Sequence, residues 1–178
     1  VGIIQSLIFT LAICFFAIEL SATSLKRFAW PAAIILSLSP TLSLNSVVIG
    51  YEVTSASLFL LAISLFLRQT RLNKSSVLNW ENSLASFAIA ISCFMQPRIL
   101  LLALGIIIPF AIYHYRGRAI PIFLAFTLSI VAIAPSIMIL RNIEANGYAA
   151  ISTNLGTTMN IGAGPEATGG YVSQVTGV

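Results

Sequence analysis

The sequence contains no aspartate, a single histidine, two cysteines and only 8% charged residues. A soluble domain carries about 25% Asp, Glu, Lys and Arg, because its water-facing surface has to be coated. So little charge excludes a soluble globular domain. A disordered chain is excluded too, since that class is poor in apolar residues and this sequence is 58% hydrophobic. The class that remains is a polytopic membrane protein, and the mean hydropathy of +0.98 agrees with it.

Other absences narrow the chemistry. Cys14 and Cys93 lie in apolar runs without a CxxC motif or a histidine partner, and read as small buried hydrophobes. His114 sits in the basic segment Tyr113-His114-Tyr115-Arg116. One histidine without acidic or cysteine neighbours is a poor metal site, so a place at the membrane interface is expected. There is no glycine-rich phosphate loop, no HExxH, no Ser/His/Asp set and no close pair of acids. Local spacing therefore offers no complete catalytic constellation. The nine Lys and Arg outnumber the five Glu, but they are scattered singly or in small groups. They read as topology signals, and nucleic acid is not expected as a partner.

What is present is six apolar segments, at about residues 2–20, 30–49, 53–67, 83–96, 98–114 and 119–140. Crossing the hydrocarbon takes about 20 apolar residues. The fourth and fifth segments are shorter, and Gln96-Pro97-Arg98 parts them. Proline removes a backbone donor and disfavours helix in the residue before it. Two short helices paired as a hairpin are expected, with one long kinked helix as the alternative. With Lys26 and Arg27 cytoplasmic, the hairpin puts seven of the nine basic residues on the inner side and leaves Arg98 and Arg141 outside. A single crossing would split the basic residues between the two sides, so the charge bias favours the hairpin.

The expected fold class is therefore an all-α membrane protein: a polytopic helix bundle over residues 1–141, then an irregular, polar, extracytoplasmic loop over 142–178. That tail holds seven of the eleven glycines. Asn146-Gly147 reads as a turn and Tyr148 to Thr153 as a short extended stretch. The chain starts at Val1 and closes on the polar stretch, and a fragment of a longer protein is expected. The first apolar run lacks the basic leader and the cleavage site of a signal peptide.

Among charged residues, Glu52 lies at the outer end of the second segment. It reads either as a favourable anion at the start of the next helix or as a substrate or metal contact. Arg98, at the hairpin tip, either snorkels to the interface or grips a phosphate through two parallel hydrogen bonds. Arg141, beside Asn142, either caps its helix or meets a lipid-linked phosphate. Glu19 is expected to pair locally with Lys26 and Arg27. Glu81, beside Trp80, reads as an interface anchor, and nothing local marks Glu144 or Glu166.

Four stretches together resemble the polytopic glycosyltransferases of the GT-C superfamily, in the protein O-mannosyltransferase and aminoarabinose-transferase branch. They are Pro40 followed by Glu52 and a returning helix closed by Arg68; FMQPRILLL at 94–102; IAPSIMILRN at 133–142; and ISTNLGTTMNIGAGPEATGGY at 151–171. The chain departs from that pattern in placing Arg98 after Pro97, and in lacking a Pro-Trp pair before Arg141-Asn142. The resemblance implies a cell-membrane enzyme that transfers a sugar from a polyprenyl-phosphate carrier to a protein, glycan or lipid acceptor on the outer face. By resemblance, Glu52, Arg98, Arg141 and Asn142 would bind substrate. The catalytic acid would lie upstream of Val1. The cofactor is unassigned, with a divalent cation in the full-length protein as one option. A transporter or flippase, with broken helices of the same kind, and a non-catalytic membrane subunit are the competing readings.

Overall fold

The computed structural model describes residues 2–39 and 51–151. All regular structure among them is helical: α1 (Gly2–Ser21), a 3-10 turn (Lys26–Phe28), α2 (Ala29–Leu38), α3 (Glu52–Leu72), α4 (Trp80–Met95), α5 (Ile99–His114) and α6 (Ala119–Asn146). Of these, α1, α3 and α6 are each long and apolar enough to cross a membrane. This is therefore a helical membrane protein. At 1.5 Å per residue, the 16-residue α4 and α5 reach only about 24 Å.

Each helix ends where local chemistry requires it. α2 stops at Leu38, and Ser39 is extended (ψ 113°) because Pro40 follows it. The rest of the second expected segment lies outside the described residues. α3 closes on Asn73, one of the few residue types that tolerates a left-handed backbone (φ 49°). The N–H of Asn73 donates to Thr70 O and that of Lys74 to Gln69 O, both at 3.2 Å, which satisfies the last carbonyls. α4 opens on Asn79, whose side-chain oxygen accepts from the Asn82 N–H at 2.8 Å. It closes at Met95, and Gln96 is extended (φ −145°, ψ 90°) immediately before Pro97. The break at Gln96-Pro97-Arg98 is thus complete, and the single kinked helix does not form.

Residues 1–141 were expected to hold all the helix, but α6 continues to Asn146. No breaker intervenes before Gly147, whose positive φ (75°) lets its N–H turn back to Ile143 O at 2.9 Å. Tyr148 to Ile151 are irregular, and residues 152–178 lie outside the described residues.

The chain divides into two compact units, Val1–Pro135 and Ser136–Val178. Within the first, hydrogen bonds fix the directions of the helices. α1 and α3 run parallel: Gln5 meets Thr54 at one end (3.2 Å), and Glu19 meets Arg71 at the other. α3 and α4 run antiparallel. Ser55 Oγ donates to Ser92 O (3.2 Å) and Ser92 Oγ to Ser55 O (2.9 Å) at one end, and Gln69 Nε2 donates to Asn82 Oδ1 (2.6 Å) at the other. Small buried residues, among them Ala62, Ala85 and Ala88, let these helices approach closely. α5 runs back along α4, since Tyr115 at its end bonds to Asn82 in the first turn of α4.

Candidate functional site

Two ends of the first unit now have different chemistry. The break end holds the start of α3 and the α4–α5 junction. It carries Glu52, the first residue of α3, and Arg98, the residue that opens α5. Glu52 sits where the helix macrodipole favours an anion. No ion pair joins Glu52 to Arg98 among the described residues. With the Gln96 amide turned so that its oxygen faces the guanidinium, Arg98 Nε donates to it at 2.7 Å. Arg98 is thus held across the proline break by its near neighbour.

The basic end holds the polar chemistry that the sequence did not reveal. Gln69, Asn82 and Tyr115 form a closed ring. Gln69 Nε2 donates to Asn82 Oδ1 (2.6 Å), Asn82 Nδ2 to Tyr115 Oη (2.8 Å), and Tyr115 Oη to Gln69 Oε1 (3.2 Å). Asn82 Nδ2 also donates to Val77 O, and Asn79 Nδ2 to Gln69 Oε1. All three ring residues are buried. A ring whose polar atoms are already satisfied in this way binds helices together and leaves little for a substrate. Burial raises the Tyr115 phenol above the ordinary tyrosine range, and the hydrogen bond from Asn82 opposes that shift. Phe110 stacks on Phe66 at 4.4 Å and packs edge-on against Phe123 and Tyr115, so the phenol ring of Tyr115 sits in an aromatic cluster.

The acids at this end differ from expectation. Glu19 does not pair with Lys26 or Arg27. It is buried, and it accepts from Arg71 Nε (2.8 Å) and Nη2 (3.1 Å) in a two-pronged contact. The partner lies 52 residues away, so helix packing and not local spacing selects it. Glu81 is not an interface anchor either. It is fully buried and pairs with Lys74 through Oε1. Trp80 beside it is the exposed member, with Arg68 and Lys74 at 5.8 and 6.0 Å from its ring centre. His114 is half-buried, bonded to Lys74 O at 2.7 Å and stacked on Phe110. Cys93 is buried as expected, but Cys14 is exposed on α1.

The second unit contains Arg141 and Asn142. Asn142 is buried, and its Nδ2 donates to Ala150 O at 2.6 Å, folding the irregular segment back onto its own helix. Arg141 is exposed. Of the 151–171 stretch that carried part of the resemblance, all but Ile151 lies outside the described residues. Among the described residues, no three His, Cys or Glu side chains gather as a metal site would need. No family model, curated protein or solved structure matches the chain.

Proposed function

We propose that the chain is the membrane bundle of a polytopic glycosyltransferase that takes a sugar from a polyprenyl-phosphate carrier on the outer face. One observation carries this reading: the first unit segregates its charges. Lys26, Arg27, Arg68, Arg71, Lys74, Arg116 and Arg118 lie in the last turns of helices or in the connections beside them, on one side of the bundle. Glu52 and Arg98 belong to the opposite end. The positive-inside rule then supports a cytoplasmic basic end, six membrane segments, and an outward-facing Arg98. Arg141, at the outward end of the sixth segment, would share that compartment.

A cationic group in an outer cavity suits a lipid-linked phosphate. It stabilises charge as the sugar leaves, and the reaction also requires a carboxylate to deprotonate the acceptor. The experiment is turnover of a polyprenyl-phosphate sugar by the full-length protein carrying Arg98→Ala or Arg141→Ala. Loss of at least about a hundredfold, the scale of removing one charge-stabilising donor, is expected. Unchanged turnover rejects the phosphate role. Flux of lipid-linked sugar in proteoliposomes without transfer would favour a flippase.

A further inference from the structure

At the basic end, the internal pairing leaves a buried cationic atom without a partner, Nε of Arg68. Its two acids are consumed: Glu19 by Arg71, and Glu81, through Oε1, by Lys74. Arg116 Nη1 is occupied by the carbonyls of Ile112, Tyr113 and Tyr115, capping the end of α5. Arg68 makes no ion pair among the described residues, and its Nε is buried without an acceptor. Glu81 is close enough to feel the charge of Arg68, yet its Oε2 also lacks a donor. The guanidinium instead lies over Trp80, which is 56% exposed.

Trp80 begins an apolar stripe. Trp80, Leu84, Phe87, Ile91 and Phe94 are all exposed and follow helical spacing down one face of α4. The stripe runs about 21 Å at 1.5 Å per residue, close to the length of an extended acyl chain. A cation at one end of an apolar track, with an indole between them, matches an amphiphile whose head is anionic.

We infer that Arg68 and Trp80 form a binding site for an anionic phospholipid. The phosphate accepts from Arg68, and one acyl chain lies along the Leu84–Phe94 face of α4. Lys74, 6.0 Å from the centre of the same indole, adds positive potential, partly offset by Glu81. This inference rests on the membrane reading of the fold and is independent of sugar transfer.

The test uses the chain in a non-ionic detergent with Trp30→Phe, which leaves Trp80 as the only tryptophan. Titration with phosphatidylglycerol is expected to shift Trp80 emission and to leave lipid bound in native mass spectra. Phosphatidylcholine at the same mole fraction is expected to bind at least about fivefold more weakly. Arg68→Gln should lower phosphatidylglycerol affinity by about fivefold, the contribution of one cation near a charged membrane surface, and leave phosphatidylcholine unchanged. Arg68→Lys should retain part of the preference. Indistinguishable binding of the two lipids by the unsubstituted site overturns the proposal, whatever the variants do. An unaltered preference in Arg68→Gln also overturns it. Inorganic phosphate alone reproducing the emission shift would identify a free-anion site and reject the lipid.

Discussion

Single residues at the basic end govern how tightly the bundle closes. Asn82 donates two hydrogen bonds and accepts one in a buried setting. Replacing it with leucine strands Gln69 Nε2 and the Val77 carbonyl. Asn82→Leu should destabilise by about 2 kcal/mol, read as a lower midpoint in a denaturing-detergent titration. Tyr115→Phe removes the hydroxyl and should cost less, about 1 kcal/mol. The raised pKa of Tyr115 also sets a direction with pH. An acid whose folded pKa lies above its unfolded value favours the fold while neutral, and that contribution is lost as pH rises through the folded pKa. Raising the pH through the Tyr115 step should therefore loosen the helix contacts, read as a lower unfolding midpoint in alkaline buffer. For Glu19 and Arg71, removing Arg71 alone leaves a buried carboxylate uncompensated. Arg71→Gln should destabilise more than the double variant Glu19→Gln/Arg71→Gln.

At the scale of elements, helix ends were the least legible part of the sequence. Hydrophobic runs located each of the described α-helices, because apolar length is a composition signal. The run over 53–67 gave no hint that α3 continues to Leu72 through Arg68, Gln69 and Arg71, since polar residues in a last turn look like loop. The capping asparagines carry that information. Asn73→Gly should be tolerated, whereas Asn73→Val, at a positive φ, should cost about 1–2 kcal/mol. Asn79→Ala should cost about 1 kcal/mol through loss of the cap on α4. Thermal melts followed by circular dichroism would rank all three. The extension of α6 through Asn142 to Asn146 was hidden in the same way, by polar residues that are not breakers. By contrast, Pro97 was legible, because proline acts on the backbone whatever its neighbours.

For the whole molecule, the sequence shows the class and the hairpin but not the partners of its buried acids. Glu19 and Glu81 look like local surface charges until helix packing brings Arg71 and Lys74 to them. The expected site residues also separate by unit: Glu52 and Arg98 in Val1–Pro135, Arg141 and Asn142 in Ser136–Val178. The orientation proposed above has a direct measurement. In a Cys14→Ser background, Arg98→Cys and Arg116→Cys should react with a membrane-impermeant thiol reagent added from opposite sides.

The Gln69–Asn82–Tyr115 ring also bears on how the chain enters the bilayer. α4 is short and begins with a carboxylate and an amide, Glu81 and Asn82, so on its own it partitions poorly into lipid. The hydroxyl that completes the ring arrives only after α5 has been synthesised. Until then α4 rests on partners made before it, Lys74 for Glu81 and Gln69 and Val77 for Asn82. A nascent chain arrested before Tyr115 should therefore crosslink α4 to α3, and α5 should join the pair only once that residue has been made.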